Sequence, residues 1–306
     1  MSYLGRQNMK MNKYPNILCI GSVLWDVIGR SPQTMRKGSD VAGNITRLPG
    51  GVALNIATTL AKFEMIPAIL TSVGYDPDGD ELLAACVAQG LIIDTVYRSE
   101  NLPTDRYMAI EGSNGVIAAI ADSHSLEAAG DKILTPLTDG TIATISKPYS
   151  GLIAIDGNLT TSLLSEITTS FLFARADLRV APASPGKAKR LLPFIAQGRG
   201  TLYVNMEEAS LLCQKRFQNT NEAAQGLINQ GAFRVLVTNG AKTSTEGSEK
   251  GFISQTPPSV NVTRVTGAGD TFMAAHIAAE ARGFDRSDSL AFALEAAAIF
   301  VSGGKP

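Results

Sequence analysis

The residues best suited to chemistry lie in a short glycine-rich segment near the C-terminus. Residues 266–270 are Thr-Gly-Ala-Gly-Asp, and a helix-prone run follows at 273–282. Small residues at the start of a helix leave backbone N–H groups open, and these groups and the helix dipole can hold phosphate oxygens. Asp270 falls in the first turn of the predicted helix, where a carboxylate can take the proton of an attacking hydroxyl. An aspartate that only stabilises the helix dipole is the alternative, because Gly-x-Gly alone is weak evidence.

The elements that would position this segment follow the pattern of an α/β fold. Short apolar runs predict strands of a mostly parallel sheet at 16–20, 68–74, 91–93, 151–156, 178–181, 201–205 and 234–238. Helical segments lie between them, for example at 52–63 and 80–89. Open parallel sheets bind ligands at the carboxyl ends of their strands. The polar residues at those ends are Asp156, Asn158, Asn205, Thr238 and Asn239, and Asp26 lies just beyond the first strand.

One stretch interrupts this alternation. Two β-type runs flank Asn114-Gly115 within residues 106–121, which predicts a hairpin. Together with the polar residues 29–49, the hairpin predicts a small β element that stands off the main sheet and can cover a cleft. We assign this lid to approximately residues 27–49 and 98–123 of a single domain, 1–306. An ordinary hairpin at the edge of a sheet is the alternative.

Composition limits the partners and cofactors. The 306 residues carry 27 Lys plus Arg against 28 Asp plus Glu, which gives no general electrostatic reason to expect nucleic acid or an anionic membrane as partner. The sequence has neither a signal-peptide run nor a membrane-spanning run, so we expect the cytoplasm. Three separated cysteines (Cys19, Cys86 and Cys213) suggest reduced thiols, mostly in the core, rather than a zinc site or a disulfide. With only two histidines, any metal would be held by oxygen ligands.

Four motifs in the expected order make the sequence similar to the ribokinase, or PfkB-type, family of carbohydrate and nucleoside kinases. Residues 266–272 resemble the C-terminal signature of that family, and residues 50–57 resemble its N-terminal signature. Residues 205–208, Asn-Met-Glu-Glu, are similar to its Asn-x-x-Glu element, and 238–240, Thr-Asn-Gly, to its nucleotide-loop Thr-x-Gly. The resemblance covers essentially the whole chain. It implies a ribokinase-like α/β fold, with a central mostly parallel sheet flanked by helices and a small β lid.

This resemblance also implies an activity and a set of site residues. The activity is phosphorylation of the 5′-hydroxyl of a ribosyl substrate by ATP with Mg²⁺. The residues implied at the reaction centre are the catalytic base Asp270 and the anion hole Gly267, Ala268 and Gly269. Those implied at the nucleotide are Asn205, Thr238, Gly240 and Thr266, with Glu208 organising Mg²⁺ and its waters. Those implied at the sugar are Asp26, Gly50, Gly51 and Asn55.

Shorter matches narrow the implied substrate. Residues 119–124, 156–159 and 182–187 resemble the pseudouridine kinase branch, and they imply substrate contacts from Asp122, Asn158 and Ser184. A polar hairpin end is the alternative for Asp122. Another sugar or nucleoside kinase of the family is the nearest rival function. A catalytically silent small-molecule-binding protein on the same fold is the second, although binding alone needs no base such as Asp270.

Some features depart from the family pattern. Arg264 stands where the family usually has an acidic or amide residue, which puts a monovalent-cation site near that loop in doubt, although such a cation stays among the candidate cofactors. Ala181 replaces an acidic residue that often precedes Pro182, and the nucleotide loop lacks a second glycine. A second copy of the chain, paired through the β lid, stays a candidate partner beside the small-molecule substrate.

Overall fold

The computed structural model describes residues 14–304. Its strands are β1 (Ile17–Ile20), β2 (Leu24–Arg30), β3 (Asn44–Gly50), β4 (Pro67–Leu70), β5 (Ser72–Gly74), β6 (Tyr97–Ser99), β7 (Arg106–Gly112), β8 (Gly115–Asp122), β9 (Leu152–Asp156), β10 (Asp177–Ala181), β11 (Thr201–Asn205), β12 (Arg234–Asn239), β13 (Lys242–Ser248) and β14 (Gly251–Gln255). Its α-helices are α1 (Val52–Lys62), α2 (Pro77–Ala88), α3 (His124–Ala129), α4 (Thr161–Thr169), α5 (Leu192–Ala196), α6 (Met206–Cys213), α7 (Thr220–Asn229), α8 (Ala268–Ala281) and α9 (Arg286–Val301). Short 3₁₀ segments lie at Gly130–Leu137, Phe171–Phe173 and Pro185–Leu191.

The main sheet has eight strands in the order β14-β13-β12-β11-β10-β9-β1-β4. Six neighbouring strands pair in parallel, in the order β4-β1-β9-β10-β11-β12, and β13 and β14 extend the sheet antiparallel beyond β12. Alternate side chains of β1 enter different apolar clusters, Leu18 and Ile20 on one face and Ile17 and Cys19 on the other. Burial on both faces explains why these strands are continuous apolar runs. The predicted α/β class with a mostly parallel sheet is confirmed.

A second sheet, with the order β3-β2-β7-β8, is separate from the main one. Strand β2 pairs antiparallel with β3 and parallel with β7, and β7 and β8 form the predicted hairpin. The hairpin turn consists of Ser113 and Asn114, because Gly112 pairs with Gly115, so the turn comes one residue earlier than the Asn-Gly pattern suggests. Within residues 14–304, no strand of this sheet pairs with a strand of the main sheet.

Three local predictions differ from the structure. The run at 68–74 is two strands, because β4 pairs with β1 whereas β5 pairs with β6 in a small third sheet. The run at 91–93 makes only an isolated bridge from Ile92 to Ala68. Strands β13 and β14 were not predicted. Their sequences are rich in Thr, Ser, Gly and Lys, and so lack the apolar pattern that indicates a buried strand.

Two of the three cysteines lie in the core. Cys19 and Cys86 are buried, Cys213 is half-buried, and all three are free thiols. Burial raises the pKa of Cys86 to about 11, which keeps that group a protonated core residue at neutral pH. Within residues 14–304, every helix is too short or too polar to span a bilayer.

Candidate active site

The glycine-rich segment forms the N-terminus of α8. Gly267 caps the helix with φ +89°, a left-handed conformation that favours glycine. The N–H of Thr271 donates to the carbonyl of Gly267 at 3.0 Å, so the first turn is already helical. Apart from its chain neighbours and the backbone of its own helix, a Cβ added at Gly269 would have no described atom within 4 Å, so the backbone here is open to a ligand. The arrangement fits an anion held by helix N–H groups.

Asp270 lies in this first turn and contacts α1. Nδ2 of Asn55 donates to Oδ2 of Asp270 at 2.9 Å. Burial raises the pKa of Asp270 to about 7, against the opposing effect of the Asn55 hydrogen bond, and the charges of Asp156, Asp26 and Glu208 raise it further. A carboxylate with a pKa near 7 is well matched to taking a hydroxyl proton at neutral pH.

The two glycines before α1 lie directly against Ser22 and Asp26. Gly51 has φ +101°, and a Cβ there would lie 2.4 Å from the carbonyl oxygen of Ser22, so glycine is required. A Cβ at Gly50 would lie 2.1 Å from Oδ2 of Asp26, which shows how closely that carboxylate covers the glycine. Burial raises the pKa of Asp26 to about 6. These contacts bring the predicted sugar-site residues to one place.

Asp156, at the end of β9, is fully buried and joins three chain segments. Its Oδ2 accepts from the N–H and the hydroxyl of Ser22 at 2.8 and 2.5 Å, and its Oδ1 accepts from the N–H of Asn158 at 2.6 Å. The Ser22 hydroxyl oxygen in turn accepts from the N–H of Val52 at 3.0 Å and from Nδ2 of Asn158 at 2.9 Å. The network fixes the strand ends against α1. Ser22 was not predicted, although the strand-end rule would have found it directly after β1 and Gly21.

Asn158 also accepts a hydrogen bond from a lysine side chain. Nζ of Lys187 donates to Oδ1 of Asn158 at 2.5 Å. Lys187 follows Ser184 in the segment after β10, and the carbonyl of Ser184 accepts from the Lys187 N–H at 2.9 Å. In the sequence, Lys187 is the last residue of the 182–187 segment that resembles the pseudouridine kinase branch, and that resemblance assigns it no role. Its half-buried position beside a strand-end carboxylate became visible only in the structure.

Two of the predicted nucleotide residues end neighbouring strands of the main sheet. Asn205 and Thr238 are direct partners in the register of β11 and β12. Gly240 lies in the exposed turn between β12 and β13 with φ +55°. Thr266 is exposed in the loop before α8. Asn205 and Thr238 are thus brought together at the carboxyl edge, as the strand-end rule predicts.

Glu208 is buried at the start of α6. Its Oε2 accepts from the N–H of Asn205 at 2.8 Å, while Oδ1 of Asn205 accepts from the N–H of Glu208 at 2.9 Å, a reciprocal capping box. Burial raises the pKa of Glu208 to about 7. Residues 14–304 contain no group of three or more acidic, histidine or cysteine side chains placed to hold a metal. The oxygen donors of Glu208 and Asn205 are of the kind that suits Mg²⁺, and Glu208 would contact the ion or its waters while phosphate oxygens and water supply the other ligands.

Asp122 is the predicted site residue that the structure places apart. It accepts a 2.6 Å hydrogen bond from the exposed His124, which raises the pKa of that histidine. In the strand register Asp122 is in line with Arg106 and Trp25, whereas Asp26 is in line with Tyr107. Neighbours in register point to the same face, so Asp122 lies on the face of the second sheet opposite Asp26.

Residues 15–305 match the sequence profile described as pfkB family carbohydrate kinase. The chain belongs to this family. It is therefore a sugar or nucleoside kinase of the PfkB type, and its family relationship confirms the resemblance noted in the signatures. Members of this family are phosphotransferases that act on hydroxyl groups.

Two curated relatives and one solved structure illustrate the similarity. An uncharacterised sugar kinase of Escherichia coli, YeiI, is 27% identical over 291 residues, which cover 93% of this chain and 78% of that protein. A pseudouridine kinase of Escherichia coli is 27% identical over 290 residues, covering 92% and 89%. The structure of Arabidopsis thaliana ribokinase complexed with ribose and ATP matches with a TM-score of 0.75 at 22% identity, over 94% of this chain and 93% of that one. This last likeness confirms the ribokinase-like fold.

Proposed function

We propose that this PfkB-family kinase transfers the γ-phosphoryl group of ATP to the 5′-hydroxyl of a ribosyl substrate, with Asp270 as the base. The observation that carries the proposal is the Asp270 carboxylate, poised at a pKa of about 7 by burial, in the first turn of α8 beside the open backbone at Gly269. Asp270 would take the hydroxyl proton while the adjacent N–H groups stabilise charge on the phosphoryl group. A silent binding protein would not need a base tuned in this way.

ATP and Mg²⁺ are the proposed co-substrate and cofactor. The related fold of Arabidopsis ribokinase was solved with ATP and ribose, and a second ribokinase-like structure, from Escherichia coli, with ATP and Mg²⁺. In this chain, Thr238 and Gly240 would contact the nucleotide, and Thr266 would lie at its phosphates. When bound, Mg²⁺ would neutralise phosphate charge. Asn205 and Glu208 would orient the metal and its waters from the capped start of α6.

Pseudouridine is the proposed acceptor, and ribose or another nucleoside is the alternative. Two curated relatives named pseudouridine kinase support this choice, and so do the sequence matches around Asn158 and Ser184. An uncharacterised sugar kinase and a ribokinase are equally similar in identity, which keeps the alternative open. Asp26, Gly51 and Asn55 would hold the ribosyl hydroxyls in either case. A base contact from Asp122 would require it to reach round the edge of the second sheet.

The test is a comparison of kcat/KM for pseudouridine, uridine, adenosine and ribose, with ATP consumption as the readout, in the wild type and in Asp122→Ala. Pseudouridine as the best acceptor supports the proposal. Ribose as the best acceptor replaces it with a ribokinase-like function. A preference for pseudouridine that persists in Asp122→Ala would remove Asp122 from the site, as its position on the opposite face suggests. No turnover of any acceptor, with ATP still bound, would favour the silent binding protein.

We further propose that two copies pair through the second sheet, which acts as the lid. The face opposite Asp26 exposes a row of apolar side chains, Ile45 (79% exposed), Met108 (48%), Ile110 (40%) and Ile120 (67%). An exposed apolar patch of this kind favours association. Light scattering should give twice the chain mass for the wild type and the chain mass for Ile120→Glu. A wild type that is monomeric at all concentrations contradicts the pairing.

A further inference from the structure

Lys187 lies at the carboxyl edge of the main sheet, and its ammonium group has N–H donors left for a ligand. Among residues 14–304 its ammonium group donates to Oδ1 of Asn158, and an ammonium has three N–H donors in all. The nearby Arg190 is committed instead, because it donates to the carbonyls of Asn158 and Leu159 and pairs with Glu127. Lys187 is therefore a half-buried cation at this edge that can still bind an anion, whereas Lys189 is exposed.

The strand order places Lys187 between the two halves of the site. The nucleotide-side residues Asn205 and Thr238 end β11 and β12. The sugar-side residues Asp26 and Asn55 follow β1 on the other side. Strands β10 and β9 lie between β11 and β1, and they lead to Lys187 and Asn158 respectively. A group that passes from nucleotide to sugar must cross this part of the edge.

The local charge also requires a cation here. The carboxylates Asp26, Asp156 and Glu208 act on Asp270, and each raises its pKa. Burial, and then the charge of Arg190, lower the pKa of Lys187, and Asp156 opposes them. Lys187 and Asp270 therefore both lie near the same buried carboxylate. ATP would add further negative charge to this acidic region, and phosphoryl transfer depends on neutralising such charge.

We propose that Lys187, held by Asn158, contacts the γ-phosphoryl group of ATP and neutralises its charge during transfer. The inference rests on the proposed kinase function. The bond between the γ-phosphorus and the oxygen that bridges to the β-phosphate breaks, and a bond forms between the γ-phosphorus and the acceptor hydroxyl oxygen. Asp270 takes the hydroxyl proton, ADP leaves with the bridging oxygen, and Lys187 keeps all three of its protons.

The experiment compares the Kd of ADP with that of AMP-PNP, an ATP analogue that retains a γ-phosphoryl group, by calorimetry in the presence of Mg²⁺. Lys187→Met should weaken AMP-PNP but leave ADP unchanged, and should lower kcat by roughly 10²-fold, the typical effect of removing one charge-stabilising donor. Lys187→Arg, which keeps the charge, should restore most of the AMP-PNP affinity. The matched control is Lys189→Met, two residues away and exposed, which should change neither Kd nor kcat.

The same titrations can contradict the role proposed for Lys187. If Lys187→Met weakens ADP and AMP-PNP by the same factor, or neither, Lys187 does not contact the γ-phosphoryl group. Thermal unfolding verifies that the variant is folded, and Lys187→Gln gives the same comparison if the methionine variant is not. A wild type that binds neither nucleotide would contradict the proposed function itself, whereas a wild type that binds both and turns over leaves only the role of Lys187 in question.

Discussion

The side-chain amide of Asn55 lies 2.9 Å from the carboxylate of Asp270, although 215 positions separate the two residues in the chain. One residue belongs to the N-terminal signature and the other to the C-terminal signature. The contact holds the first turn of α8 against α1. It also opposes the rise in the pKa of Asp270 that burial causes, because an N–H donor stabilises the charged carboxylate. The contact thus joins the two signatures at one place in the fold.

The first prediction concerns Asp270 itself. Asp270→Asn keeps the shape of the side chain but cannot take the hydroxyl proton. We expect kcat to fall by roughly 10²-fold or more, the usual contribution of a positioned base. Binding of AMP-PNP should be nearly unchanged in calorimetry. Turnover near the wild-type rate would show that Asp270 is not the base.

The second prediction concerns pH. Since the base must be deprotonated, kcat/KM should rise with pH through a pKa of about 7 and then level off. Asn55→Ala removes the donor that favours the charged form, so the pKa of Asp270 should increase and the rising limb should move to higher pH. A limb that stays in place or moves to lower pH would contradict the effect assigned to Asn55.

The third prediction separates metal from sugar binding. Glu208→Gln can still accept the capping hydrogen bond from Asn205 but removes the charge offered to Mg²⁺ and its waters. We expect a higher half-saturating Mg²⁺ concentration and an unchanged KM for the acceptor. Glu207→Gln, the exposed neighbour, is the control and should behave as wild type. An altered acceptor KM with an unchanged Mg²⁺ titration would place Glu208 on the sugar side of the site.

The sequence predicted the strand ends well and the contacts between them poorly. Asp156, Asn158, Asn205 and Thr238 could be found because apolar runs mark parallel strands and ligands bind where those strands end. The contacts that Ser22 and Lys187 make with Asn158 could not be predicted in the same way. They depend on which strands are neighbours, and the order of strands along the chain does not reveal the order β10-β9-β1 in the sheet. The β7-β8 hairpin could be predicted from its turn, but the register that turns Asp122 away from Asp26 can be read only from the strand pairing.

A network of charged side chains packs against the C-terminal half of α8. Glu246 is fully buried, and its Oε1 accepts from Arg234 at 2.9 Å and from Arg286 at 2.5 Å. Its Oε2 lies 3.6 Å from Nε2 of His276, which is on α8 and is also fully buried. Burial lowers the pKa of His276, so the ring is neutral at neutral pH. Burial alone would raise the pKa of Glu246, but its charged partners Arg234 and Arg286 hold that pKa below its ordinary value.

The fourth prediction follows from this network. Glu246→Ala leaves the half-buried guanidinium groups of Arg234 and Arg286 without their shared, fully buried carboxylate. Removing one partner of a buried ion pair costs about 3–5 kcal/mol of unfolding free energy. Urea denaturation of the variant should therefore show a lower midpoint than the wild type. Glu249→Ala, in the exposed turn between β13 and β14, is the matched control and should leave the midpoint unchanged. Equal midpoints for both variants would mean that the network does not stabilise the fold.

Arg264 occupies the position where the family pattern would support a monovalent cation. Its Nε donates to the carbonyl of Phe300 at 2.9 Å and its Nη2 to the carbonyl of Gly304 at 3.2 Å, at the C-terminal end of α9. The guanidinium also stacks 3.7 Å from the centre of the Phe300 ring. Phe300 packs against Gly267, where an added Cβ would lie 3.0 Å from its Cζ. Arg264 therefore connects the end of α9 to the cap of α8.

The last prediction is that this guanidinium replaces an added monovalent cation. A positive charge already sits on the backbone carbonyls at the helix end, where cations are favoured. Wild-type kcat should therefore be the same in K⁺, in Na⁺ and in a buffer that contains only a bulky organic cation. Arg264→Gln should lower kcat and raise the KM for ATP, because the cap at Gly267 loses its support, while the exposed Arg216→Gln should change neither. Strong activation of the wild type by K⁺ would show that a separate cation site exists and that Arg264 does not take its place.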